Sequence, residues 1–230
     1  RRIAQSLGNH SMNSSMWRRY KYSRFAPRRK FADGGRLTSA TFVDNDSIFF
    51  GSGEGMVVRF SVSNVNYENE WEVRDGPVDI KISKKSSRVL TMCESTASIL
   101  GSPHTIDIWD LANMSHSLGS LPFVTADFGP SGQEVLGVNS SGILSLWDVA
   151  SSTVVRSYTE PSNSDDAYRA KQTDLVAGCF SPDEHLVLHN STLWDKRISN
   201  PIHSFDRFGT QGSHIFAPSG LEIITNTEIW

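Results

Sequence analysis

The chain has 230 residues, 38% of them hydrophobic and 20% charged, and its 22 basic and 25 acidic residues give a formal net charge of −3. That length suits one large domain or two small ones, and no apolar run approaches the roughly 18–20 residues that a membrane-spanning helix needs. Two cysteines, Cys93 and Cys179, are too few for a disulfide framework, so buried free thiols in a reducing compartment are expected.

Charge is unevenly spread. Residues 1–30 carry nine of the basic residues and none of the acidic ones. This stretch is rich in Arg, Ser and Asn and has no sustained period, so residues 1–35 read as a basic lead-in with little regular structure. Its aromatic residues Trp17, Tyr20, Tyr22 and Phe25 interleave with the cations, a pattern that base stacking on nucleic acid can use. A solvated linker is the plainer reading.

From Leu37 onward, short runs of β-branched and aromatic residues alternate with Gly, Ser, Asn, Asp and Pro clusters. This is a strand-and-turn pattern, with no convincing ten-residue stretch of helical period. Five units repeat. They lie at about 37–73, 78–118, 123–160, 175–206 and 213–230. In each, an apolar residue closes a first strand: Phe42, Ile82, Phe128, Phe180 and Phe216. A Pro turn follows in three units, as Gly129-Pro130-Ser131-Gly132, Ser181-Pro182-Asp183-Glu184 and Ala217-Pro218-Ser219-Gly220. An aromatic residue then closes the third strand: Phe60, Trp109, Trp147, Trp194 and Trp230. A repeat of about 40–45 residues is the period of a propeller blade. The Asp after each Trp, at 110, 148 and 195, is expected to accept backbone N–H bonds in the following turn.

These repeats resemble the WD40 family across residues 37–230. The Gly-His dipeptide of that family is missing throughout, so the hydrogen-bond network it anchors is not assumed. The expected fold is all-β, a partial WD40 β-propeller of about four and a half blades over residues 36–230. The first residue is Arg and Trp230 stops in mid-pattern, so a natural protein longer at both ends is expected, and residues 1–230 alone are expected to be marginal.

Trp194-Asp195-Lys196-Arg197 stands apart. The other two dipeptides continue as Leu111-Ala112 and Val149-Ala150, so only this one has Arg two residues after Asp. It resembles the WDxR box of receptors that dock on the cullin-4 ubiquitin ligase, and a planar guanidinium suits bidentate contact with a partner. An ordinary exposed Arg paired with a neighbouring Asp is the alternative. Three longer stretches, Tyr22 to Pro27, His185 to Arg197 and Ile202 to Trp230, resemble the Vpr-binding protein family of cullin-4 substrate receptors.

The resemblance implies a nuclear substrate-recognition subunit, with the cytoplasm as a second location. It would bind the damaged-DNA-binding adaptor protein through Trp194, Asp195 and Arg197 and present protein substrates for ubiquitination. Arg24 and Phe25 lie where the family has adaptor-contacting sequence and are candidate partner contacts. A generic WD40 scaffold, or a nucleic-acid-binding module using the basic arm, is the competing reading.

No catalytic residue, cofactor or metal is expected. His185 and His189 are spaced i, i+4, but in a strand that places them about 13 Å apart. The run Gly51–Gly55 lacks the Lys-Ser/Thr ending of a phosphate loop and leads into a strand, so it reads as a hairpin turn.

Overall fold

In a computed structural model of the chain, the described residues are 36–74, 76–94, 104–159, 178–205, 214–225 and 229, with backbone alone at Glu94 and His104. The lead-in 1–35, the stretches 95–103 and 160–177, and Trp230 lie outside them.

Regular structure among the described residues is entirely β. Blade 1 comprises β1 (Leu37–Phe42), β2 (Ser47–Ser52), β3 (Met56–Ser61) and β4 (Asn66–Glu72). Blade 2 comprises β5 (Val78–Ser83), β6 (Arg88–Glu94), β7 (His104–Asp110) and β8 (Ser117–Leu121). Blade 3 comprises β9 (Thr125–Phe128), β10 (Glu134–Val138), β11 (Leu144–Asp148) and β12 (Thr153–Tyr158). Blade 4 comprises β13 (Cys179–Phe180), β14 (Leu186–His189), β15 (Thr192–Asp195) and β16 (Pro201–Ser204). A two-stranded sheet follows, β17 (Ile215–Phe216) with β18 (Ile223–Ile224). Every blade is an antiparallel meander in chain order.

The expected turn chemistry recurs in register. In three units the first two strands are joined by a turn closed by an i to i+3 backbone bond: Gly132 N–H to Gly129 O at 2.8 Å, Glu184 N–H to Ser181 O at 2.9 Å, and Gly220 N–H to Ala217 O at 2.8 Å. Proline inside each turn presets the φ it needs, and the closing residue needs a left-handed one. Gly132 and Gly220 supply it at φ 76° and 73°, whereas the fourth blade has Glu184 there at φ 61°.

A bulge marks each pairing of third with fourth strand, immediately before the closing aromatic: Arg59/Phe60, Ile108/Trp109, Leu146/Trp147 and Leu193/Trp194. Such a bulge sharpens the local twist and turns the outer strand away at the same point in every blade.

The core lies between blades rather than within them. Phe49 and Val57 of blade 1 pack with Val78, Val89 and Trp109 of blade 2. Leu90 and Ile106 of blade 2 pack with Ala126 and Val135 of blade 3, with Trp147 against them. Leu136, Leu144 and Tyr158 of blade 3 pack with Val187 and Trp194 of blade 4. The tryptophan of each Trp-Asp pair thus faces the preceding blade. Burying a large side chain in this way stabilises by about 1.5–3 kcal/mol, so successive blades support one another.

Trp109 and Trp194 differ in what their indole N–H meets. Trp109 Nε1–H donates to Thr91 Oγ1 at 2.8 Å. At the same register blade 3 has Gly137 and blade 4 has His189. Trp194 is fully buried, and its indole N–H has no hydrogen-bond partner among the described residues.

The two thiols differ from the expectation in one respect. Cys93 is buried, but Cys179 is only half-buried, because it sits in the short strand β13 beside the two-stranded β17–β18 sheet. Its Sγ–H donates to His214 O at 3.3 Å. Burial pushes both thiols up to about 11.

Candidate functional site

Antiparallel meanders put the first-to-second and third-to-fourth turns of every blade at one end. The register shows it: Ser83 faces Arg88 and Arg88 faces Asp110, Glu134 faces Asp148, and Leu186 faces Asp195. The three Trp-Asp turns therefore share one rim of the propeller.

In each, the aspartate closes its own turn by accepting a backbone N–H. Asp110 accepts from Ala112 at 2.8 Å, Asp148 from Ser151 at 2.7 Å, and Asp195 from Arg197 at 2.8 Å. The short carboxylate at a strand end replaces the ladder partners that the chain leaves behind. What the aspartates do with the remaining oxygens differs. Asp110 pairs with Arg88 of the neighbouring strand at 2.9 Å. Asp195 pairs with Arg197 itself, through Nε to Oδ1 at 2.9 Å and Nη2 to Oδ2 at 2.6 Å. Hydrogen bonds from the Arg197 side chain, then from its backbone N–H, hold the Asp195 carboxyl well below the usual carboxylate range.

Arg197 is 77% exposed on its side chain, against 20% for Asp195. An exposed ion pair contributes little to stability, so its consequence is orientation. A guanidinium has five N–H donors. Two are committed to Asp195, which leaves three on a planar group held at a fixed attitude above the rim.

The turn is anchored from behind by blade 3. Tyr158, 2% exposed, sets its ring against the Trp194 indole with centroids 5.8 Å apart. Its hydroxyl donates to Lys196 O at 2.9 Å. Lys196 Nζ in turn pairs with Glu134 Oε2 at 2.7 Å, both side chains being mostly buried. Lys196 N–H donates to His185 O at 2.9 Å, and the Glu184 carboxylate accepts the Ser131 N–H of blade 3.

The structure thus places Trp194, Asp195 and Arg197 together in one turn. Trp194 is the buried root, Asp195 the brace and Arg197 the exposed head. Arg24 and Phe25 lie outside the described residues. Sequence reasoning missed Tyr158, Glu134 and Glu184, which position the turn from the neighbouring blade and its own first turn. Glu184 alone carried a signal, since it stands where the two other Pro turns have Gly. Among the described residues no group of three His, Cys, Asp or Glu is placed to hold a metal ion. His185 lies in the turn before β14 and His189 ends that strand.

Four antiparallel meander blades with a Trp-Asp turn in three of them define a WD40-type β-propeller. Solved structures bear out the fold. The β-propeller domain of Cps50 (Swd1) from Myceliophteria thermophila superimposes with a TM-score of 0.65 over 84% of this chain and 63% of that one, at 16% identity. A chain of the mitotic checkpoint complex superimposes with a TM-score of 0.63 over 85% of this chain and 59% of that one, at 14% identity. No protein-family profile matches the chain.

Curated relatives carry a more specific name. The chain is 29% identical over 225 residues to DDB1- and CUL4-associated factor homolog 1 of Arabidopsis thaliana, a match covering 93% of this chain and 11% of the relative. It is 31% identical over 137 residues to Protein mahjong of Drosophila melanogaster, covering 59% of this chain and 8% of that protein. A 58-residue stretch is 41% identical to the Caenorhabditis elegans DDB1- and CUL4-associated factor homolog 1, covering 22% of this chain and 3% of the relative. The chain has homologues named DDB1- and CUL4-associated factor homolog 1, as its resemblance to the Vpr-binding protein family implied. It spans about a tenth or less of the length of the curated relatives it matches.

Proposed function

We propose that this propeller is part of a substrate-recognition subunit of a cullin-4 RING ubiquitin ligase, and that it docks on the DDB1 adaptor through the turn Trp194 to Arg197. The observation that carries the reading is the braced guanidinium. Arg197 is exposed, held bidentately by Asp195, and seated on a turn that Tyr158 and Lys196 fix to the preceding blade. A rigid donor fork of this kind recognises carboxylates or carbonyls of a protein surface without the ordering cost that a free arginine incurs. The names of the relatives point to the same partner.

In this reading the chain is non-catalytic, binds no cofactor, and positions protein substrates for a transferase assembled elsewhere in the complex. Arg24 and Phe25 supply further adaptor contacts, and the protein works in the nucleus, with the cytoplasm as a second location. The test is co-purification. The intact protein should bring down DDB1 and cullin-4, and Arg197→Ala should reduce that recovery while the melting temperature stays put. Undiminished recovery by the variant would remove Arg197 from the docking site.

A further inference from the structure

A cavity of about 300 Å³ opens between blades 2 and 3. Its walls are Ile82, Lys84 and Lys85, at the end of β5 and in the turn after it, and Asp127, Phe128 and Pro130, at the end of β9 and in the turn after it. Both are first-to-second-strand turns, so the cavity opens at the end of the propeller that also carries Asp195 and Arg197.

The chemistry of the walls is lopsided. Ile82 and Phe128 are half-buried and offer apolar flanks. Lys84 and Lys85 are exposed, and neither forms an ion pair among the described residues. Asp127 is the one acidic residue of the lining, and it is answered from outside the cavity by Lys81 at 3.6 Å. Two ammonium groups are thus left over at the mouth of an otherwise compensated, partly apolar cleft.

The cleft connects with the Arg197 turn through neighbouring contacts. Ser131, next to Pro130, donates its N–H to Glu184. His185, next to Glu184, accepts the N–H of Lys196 at 2.9 Å.

We infer that this cavity is a second docking point on the same rim, and that it seats an aspartate or glutamate side chain of the adaptor. The inference rests on the docking reading of Arg197 given above. The fit is chemical: the methylene stem of an acidic side chain lies along Ile82 and Phe128, and its carboxylate meets the Lys84 and Lys85 ammonium groups. Lysine is a mobile point charge rather than a fork, so the contact is sensitive to salt over a Debye length of about 8 Å at physiological ionic strength.

The test uses the intact protein and purified DDB1, with affinity measured at several salt concentrations. Four proteins are compared: the parent, Arg197→Ala, the double variant Lys84→Gln/Lys85→Gln, and a control of equal charge change, Ser140→Glu/Ser141→Glu, whose turn lies at the opposite end of blade 3. The lysine variant should bind at least tenfold more weakly than the parent and with a shallower salt dependence, and the control should bind within twofold of it. All the substituted lysines and serines are exposed, and unchanged thermal melting verifies that the folds are equivalent. If Arg197→Ala weakens binding and the lysine variant does not, the cavity is no docking point while the Arg197 reading stands. If neither weakens it, both are overturned. A loss equal to that of the control would also overturn the cavity, since it would report net charge alone.

Discussion

The hydroxyl of Tyr158, the last residue of blade 3's outer strand, donates to the carbonyl of Lys196 in the Trp-Asp turn of blade 4, at 2.9 Å. The pair is 38 residues apart in sequence, and it joins the core between two blades to the turn that bears Arg197. A buried ring thereby sets the height of an exposed guanidinium.

Tyr158→Phe separates the two roles of this side chain. The ring keeps its place against Trp194, and the hydroxyl bond is lost at a cost of about 1 kcal/mol. The melting temperature should fall by a few degrees at most, while affinity for DDB1 drops several-fold because the turn is no longer pinned. Calorimetry and a binding titration on the same preparation check this. An affinity equal to the parent's would mean that the hydroxyl serves the core alone.

Arg197→Lys should not behave as a conservative change. An ammonium cannot bridge both oxygens of Asp195 as Nε and Nη2 do, and it presents a point charge instead of a planar fork. The lysine variant should bind DDB1 nearly as weakly as Arg197→Ala. Affinity within twofold of the parent would show that charge suffices and the fork is dispensable.

Glu184 occupies a left-handed conformation that glycine holds in the two other Pro turns. A non-glycine residue there carries strain of the order of 1 kcal/mol or more, and the carboxylate offsets it by accepting the Ser131 N–H. Glu184→Ala keeps the strain and loses the bond, for a predicted loss of about 1–3 kcal/mol. Glu184→Gly loses the bond but relieves the strain. Chemical denaturation should therefore rank the parent and the glycine variant above the alanine variant, with about 1 kcal/mol between the last two. The reverse order would contradict the assignment of strain.

Cys93 gives an alkaline prediction. Burial raises its thiol from 9.0 to about 11. A folded-state value above the unfolded one means that the folded protein holds the proton more tightly. The stabilisation is full below about pH 9 and is lost as the pH rises towards about 11, for roughly 3 kcal/mol in all. Melting temperatures should fall across that window, and Cys93→Ala, though less stable at neutral pH, should fall less. Parallel pH curves for the two would remove Cys93 as the cause.

Much of the fold was legible because its signals are local. Phe42, Phe128, Phe180 and Phe216 close first strands as expected, and Pro130, Pro182 and Pro218 sit in the turns that follow. The Trp-Asp aspartates close their own turns within two or three residues. Burial was less legible. Phe42 ends β1 but is 62% exposed, because its strand partner Ile48 shows that it points away from Phe49, the residue that packs on blade 2. Of the site, the box itself could be read. Its anchors could not, since Tyr158 to Lys196 and Glu134 to Lys196 span 38 and 62 residues and depend on how one blade stacks on the next. No period in the sequence encodes such a contact.

The most direct measurement is the affinity of the intact protein for DDB1, parent against Arg197→Ala, with folding verified by thermal melting. The hydrogen bonds of Arg197 among the described residues all go to Asp195 of its own turn, so its removal should leave the fold intact. The account predicts a loss of at least tenfold in affinity at an unchanged melting temperature. Equal affinities would contradict it, and would leave the Trp194 to Arg197 turn as a structural feature of blade 4.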